Sequence, residues 1–187
     1  MASPIAHSLA GFWMFLVFVG RSKFRLISQW RKFLPHLCVL VLVANLPDFD
    51  VILGLAIGRD LHHGFSHSLA AATLVALACS CLWKIAEGFW RSAALYFAAY
   101  CSHLLIDLFT GVELGWTHSG SGIPLLWPLP KKGFSSPLIL VYGVRHGSFW
   151  KVFSEGNLRT GCYELLVFGG ITIVLLVWRA RYVRKSG

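Results

Sequence analysis

The chain has 187 residues, is 56% hydrophobic with a mean hydropathy of +0.65, and carries a net charge of +9. That is too apolar for an ordinary soluble domain, and the length suits one domain. The positive charge sits beside apolar runs and forms no stripe within a recognisable nucleic-acid module, so no nucleic-acid partner is expected. Nor is there a phosphate-binding glycine loop, an internal repeat or a low-complexity tract.

The first apolar segment, Pro4 to Gly20, is short for a span of ~20 residues. No basic region precedes it, so it is expected to stay in the mature chain rather than act as a cleaved leader. A basic linker follows, 21–32, with Arg21, Lys23, Arg25, Arg31 and Lys32. The second segment runs from Phe33 to Leu46 and stops at Pro47, because proline ends or kinks a helix. Next comes PDFD, then VILGLAIG, too short to cross alone. That piece reads as re-entrant, interfacial or a short continuation after a break. A backbone break at membrane depth must be buried in protein or line a wet cavity. The third segment starts near Ser66, read as an N-cap after Gly64, and continues to Ala86. The fourth spans Ser92 to Phe109, with Ala94, Ala98 and Ser102 as a small-residue face for close packing. A long loop rich in Gly, Pro and Trp covers 110–160. A closing segment, Gly161 to Trp178, leads into a basic tail, 179–187.

The expected fold is therefore all-α: one membrane-integral domain, residues 1–187, built as a polytopic helical bundle of about five spans. The five cysteines, Cys38, Cys79, Cys81, Cys101 and Cys162, are odd in number and contain no CxxC pair. They read as small buried hydrophobes rather than a disulfide framework or a zinc motif.

Basic residues set the orientation. With the 21–32 linker and the tail inside, five spans start from an external N-terminus, and 11 of the 17 Lys and Arg fall on short inside segments. This topology brings the unusual polar residues to one face, the outer one. His7 opens the first span. Asp48 and Asp50 end the second. His62, His63 and His67 precede or open the third. His103 and Asp107 lie near the end of the fourth.

An ionisable group at membrane depth is costly and marks a candidate functional site. His103 and Asp107, four apart, share a helix face with ~6 Å of rise between them. Asp48 and Asp50 would point the same way if the segment after Pro47 is extended. Imidazole and carboxylate together suit zinc, manganese or non-haem iron. So many donors exceed the needs of one tetrahedral zinc, so two or more ions are compatible with them. Taken singly, HxxxD is more often a hydrogen-bonded pair, and DxD a turn or cap. The combination favours a metal site over a buried proton relay or structural polar contacts. His36, His118 and His146 read as ordinary polar residues near helix ends.

The ordered motifs PIAHSLAG, NLPDFD, HHGFSHS, HLLIDLFT and GIPLLWPL, spanning residues 3–129, resemble the YdjM-like family. The resemblance implies a multi-pass protein of the bacterial inner membrane and a metal-dependent hydrolase. It carries ligand or catalytic roles to His7, Asp48, Asp50, His62, His67, His103 and Asp107. His63 stands where such proteins often have arginine, so His63 and Asp60 are taken as supporting or incidental. The piece between Asp107 and Trp127 is longer than usual for the family, and His118 within it receives no role. A fainter resemblance links the His, Asp and HxxxD pattern to zinc-dependent phospholipase C and single-strand nucleases, an analogy only.

The resulting expectation is a hydrolase holding a divalent metal, zinc first and manganese second, with two or more ions compatible. Metal binding lowers the pKa of water towards ~7. Asp48 or Asp50, whichever is not fully engaged as a ligand, is the candidate general base. The substrate is expected to be a membrane lipid, a lipid-linked molecule or another phosphoester. Trp127 in LLWPL is a candidate wall of the site. Lys131 and Lys132 are candidates to meet an anionic headgroup, though solvated charges are commoner. Trp116 and Trp150 read as interface tryptophans. A metal or proton transporter using the same ligands, and a structural or regulatory protein with a vestigial site, are the competing classes.

Overall fold

The computed structural model describes residues 2–20, 26–58, 64–111, 122–129, 133–144 and 154–185. Among them are helices α1 (Pro4–Gly20), α2 (Leu26–Asn45), α3 (Phe49–Ile57), α4 (Leu69–Leu82), α5 (Phe89–Leu108) and α6 (Glu155–Lys185). Two 3-10 turns, Leu46–Asp48 and Phe65–His67, interrupt this series. Strands β1 (Thr110–Gly111) and β2 (Val141–Tyr142) form a two-residue parallel pairing. The fold is all-α in character, as the apolar segments predict.

Local chemistry explains the helix ends. Ser3 accepts the amide of Ile5 at 3.1 Å, and Pro4 takes the first helical position of α1, where its missing N–H costs nothing. α2 begins inside the stretch read as a linker, so Arg31 and Lys32 lie on it, and Pro35 sits within it. Lys and Arg are good helix formers, so charge alone does not stop a helix. The VILGLAIG piece is helical, and α3 ends at Gly58, whose φ of 67° is left-handed and suits a residue without a Cβ. The N-cap of α4 is Ser68, not Ser66: its side chain accepts the Ala71 amide at 3.1 Å.

Among the described residues, two helical stretches are long and apolar enough to cross a membrane, Trp30–Gly54 and Glu155–Tyr182. α1 and α4 are apolar but only 17 and 14 residues long. α5 is 20 residues long and carries Arg91, His103 and Asp107.

α5 is central. It packs on α4, α1 and α2, while α6 lies against α1. The core contains Phe15, Leu40, Val43, Ala72, Ala76, Tyr96, Ala99 and Leu104. α1 and α2 approach so closely that a Cβ on Gly11 would lie 2.8 Å from Val41 Cα. The face of α5 expected to pack was misassigned: Ala94 is exposed, and Ala98 and Ser102 are half-buried. The buried stripe is Ser92, Tyr96, Ala99, Tyr100, His103 and Asp107. It wins because its hydroxyls find partners, Tyr96 on the Trp83 carbonyl at 3.0 Å and Tyr100 on the Ser66 carbonyl at 2.6 Å. Outward-facing surfaces are apolar, as at Leu74, Leu82, Leu166, Ile173 and Val174. Exposed apolar area of this kind marks contact with a membrane or a partner. Cys38, Cys81 and Cys162 are exposed there, against the expectation of buried cysteines.

Candidate metal centre

Four elements deliver the polar residues to one end of the bundle. His7 lies in the first two turns of α1. Asp48 ends the 3-10 turn that follows α2. His67 ends the 3-10 turn before α4, and His103 and Asp107 occupy the last two turns of α5. The two breaks at Pro47 and Gly64 are what let Asp48 and His67 turn inward. Tyr100, one turn ahead of His103 on α5, fastens the second break through the Ser66 carbonyl.

Asp48, His67, His103 and Asp107 each offer one donor atom, all within 4.8 Å of one another. His103 Nε2 lies 3.3 Å from Asp48 Oδ1, 3.2 Å from Asp107 Oδ2 and 3.3 Å from His67 Nε2. His67 Nε2 is 3.7 Å from Asp48 Oδ1 and 3.4 Å from Asp107 Oδ2. In a tetrahedral zinc site with bonds of ~2.0–2.1 Å the donors stand ~3.3 Å apart. These separations therefore match the edges of a zinc-sized coordination polyhedron.

The far sides of both rings fix their tautomers. His103 Nδ1 donates to the Ala44 carbonyl at 2.9 Å. His67 Nδ1 lies 3.2 Å from Asp50 Oδ2 and 3.1 Å from Ser66 Oγ. The Ser66 hydroxyl already donates to Asp50 at 2.6 Å, so His67 Nδ1 must be a donor as well. In the neutral rings both Nε2 lone pairs then face each other and two carboxylates. A shared cation satisfies that arrangement. Orientation of a ligating imidazole by a carboxylate or carbonyl behind it is the usual outer shell of a metal site.

Burial sharpens the point. The His7, His67 and His103 side chains are 0% exposed, Asp107 1% and Asp48 11%. Both ring nitrogens of His7, both Asp48 oxygens and Asp107 Oδ2 are buried without a hydrogen-bond partner among the described residues. Such groups are rare in folded proteins and call for a ligand to complete them. The donor set, its spacing and its orphaned acceptors all fit a divalent metal.

The expected ligands divide between several positions. Asp48 faces the centre, whereas Asp50 stands behind His67. The two aspartates diverge because the segment after Pro47 is helical rather than extended, and two helical steps rotate a side chain by ~200°. His7 stacks on His103 with ring centroids 3.7 Å apart, its Nε2 3.5 Å from Asp107 Oδ1 and 3.9 Å from Asp48 Oδ2. Trp127 is 43% exposed and packs on Phe65, 6.0 Å between centroids, next to the His67 turn. The loop carrying it is tied to α4 by the Leu69 amide on the Leu125 carbonyl, 3.0 Å. His62, His63, Asp60, Lys131, Lys132, Trp116, Trp150, His118 and His146 lie outside the described residues. His36 sits elsewhere, among Phe18, Phe33 and Trp83.

Sequence reasoning missed Glu164. It is fully buried on α6 and accepts the Ser3 amide at 2.9 Å and the Ser3 hydroxyl. The neighbouring Ala2 amide donates to Asp107 Oδ1 at 2.9 Å. An anion at a helix N-terminus is favourable, so Glu164 seats α1 and thereby His7. The signal was available: an acid inside an apolar closing span.

Comparison with known proteins agrees with this architecture. The sequence matches the YdjM inner membrane protein family over residues 1–183. It is 32% identical over 103 residues to the inner membrane protein YbcI of Escherichia coli K12, covering 52% of this chain and 56% of that protein. The chain thus spans about half the length of that curated relative. No solved structure matches. With a whole-length match and an apolar helical bundle, the chain belongs to the YdjM inner membrane protein family.

Proposed function

We propose that this protein is a multi-pass inner-membrane metal-dependent hydrolase, acting on a lipid-linked or other phosphoester substrate at the outer face. The observation that carries the reading is the convergence of Asp48, His67, His103 and Asp107, with both imidazoles locked from behind. His67, His103, Asp48 and Asp107 would hold the ion. A divalent metal there supplies Lewis acidity, polarising the scissile group and acidifying water. Asp48 is the most accessible of the four. Through a lone pair the ion does not use, it would accept a hydrogen bond from the attacking water, take its proton as the water oxygen bonds to phosphorus, and pass that proton to the leaving alkoxide oxygen as the ester bond breaks. Asp50 and the Ala44 carbonyl occupy the Nδ1 atoms of His67 and His103, so both rings turn Nε2 towards the ion, which would take the lone pair in place of a proton.

An amphiphilic substrate is favoured by what surrounds the opening. Phe65 and Trp127 form an exposed apolar ledge beside His67. Phe49, Ile52, Leu53 and Ile57 of α3, directly after Asp48, are also exposed. Acyl or prenyl chains would lie along these side chains while the polar head meets the centre.

The test is turnover by detergent-purified protein with added zinc or manganese, offered a phospholipid, a polyprenyl phosphate and a generic phosphodiester. Metal-dependent release of product, lost in His103→Ala, is expected. Bound metal with no turnover of any of the three would overturn the hydrolase reading and favour transport or a structural role.

A further inference from the structure

The four-donor set leaves His7 over. This imidazole is fully buried in α1, and neither ring nitrogen has a hydrogen-bond partner among the described residues. A buried histidine without a partner on either side is costly. Its position explains it. The two carboxylates of the centre face in two directions, and they do so oxygen by oxygen. Asp48 Oδ1 and Asp107 Oδ2 lie towards His67 and His103. Asp48 Oδ2 and Asp107 Oδ1 lie towards His7 Nε2, at 3.9 and 3.5 Å. Each carboxylate therefore presents one oxygen to each pole.

We infer that the centre holds two divalent ions, the second bound by His7, Asp48 and Asp107, with both carboxylates bridging. This deepens the hydrolase reading and rests on its metal centre. The pole at His67 and His103 has four protein donors. The pole at His7 has three, so the second ion keeps more room for water or a substrate oxygen. Bridged pairs of this kind clamp both the attacking and the leaving oxygen of a phosphoester. The Ala2 amide on Asp107 Oδ1 does not block the second ion, because a carboxylate oxygen has two lone pairs. Asp48 is the least buried of the five.

The experiment is metal stoichiometry. Protein purified in detergent and stripped of metal is titrated with Mn(II), and bound ions are counted and recorded by electron paramagnetic resonance. Wild type should bind two ions per chain with the spectrum of a spin-coupled pair. His7→Gln, which keeps the volume, should bind one ion with an uncoupled spectrum. His7→Ala should regain the second ion when imidazole is added, which keeps the test decisive if His7→Gln folds poorly by circular dichroism. One ion in wild type, retained unchanged in His7→Gln, would overturn the pair and leave the single-metal hydrolase standing. Two ions retained in His7→Gln would overturn the role of His7. No ion in wild type would overturn the pair together with the metal centre beneath it.

Discussion

The middle and the C-terminal end of the α2 helix meet the same kind of residue to different effect. His36, at its middle, sits among Phe18, Phe33 and Trp83, with no carboxylate within ion-pair distance among the described residues. At the C-terminal end, Ala44, and Asp48 in the turn beyond it, meet His103, and every imidazole nearby faces at least one aspartate. Both places are apolar in composition, and both contain a buried or half-buried histidine. His36 too has a backbone carbonyl as partner, that of Lys32, but only the second place also sets carboxylates in front of its rings. A histidine in a membrane-type bundle becomes a ligand candidate through the carboxylates that face its second nitrogen, not through its depth.

That contrast can be broken or sharpened by substitution. The largest effect is expected at His103, whose loss removes a donor and leaves Asp48 and Asp107 facing each other. His103→Ala should weaken metal affinity by more than ~100-fold, the upper range seen even for outer-shell losses, measured by competition with a chromophoric chelator. Asp50→Asn comes next. It keeps the size but weakens the acceptor behind His67, and an outer-shell change of this kind costs ~10–100-fold in metal affinity. If Asp50→Asn behaves like wild type, the locked-ring account of His67 is wrong.

Glu164→Ala should act mainly on stability. It strands the buried Ser3 amide, at a cost of ~1–3 kcal/mol, read as a lowered melting temperature in detergent. Metal affinity should fall only slightly, through loosened seating of α1. The smallest effect belongs to the middle of α2. Eight residues separate His36 from Ala44, ~12 Å of helix, and effects at sites so far apart are independent. His36→Phe should leave metal affinity unchanged. A loss comparable to that of His103→Ala would dissolve the contrast between the two places.

Much of this was legible in the chain. Apolar segments located α1, α2, α4, α5 and α6, because burial or lipid contact demands continuous hydrophobic surface. Their ends were harder. α6 runs past the apolar segment on both sides, since Glu155 and Arg159 pair one turn apart at 2.6 Å and the basic tail tolerates helix. The HxxxD spacing correctly brings His103 and Asp107 together, because both lie in regular helix. The DxD spacing misled, because its meaning depends on whether the backbone is extended or helical, and Pro47 permits either. Roles that depend on contacts across helices were not legible at all. Ala44, Ser66 and Tyr100 act through backbone carbonyls or hydroxyls that only tertiary packing brings near, and Glu164 lies beyond the motifs that carry the family likeness.

The most direct test of the central claim is the divalent-metal content of protein purified in detergent under metal-replete conditions, by inductively coupled plasma mass spectrometry, wild type beside Asp107→Asn. Asp107 Oδ2 lies within 3.4 Å of the Nε2 atoms of both His67 and His103, so its charge is central to the site. Wild type should carry at least one divalent ion per chain, and Asp107→Asn, folded to the same helical content, should carry almost none. An absence of metal from the wild type, or equal metal in both proteins, would contradict the account.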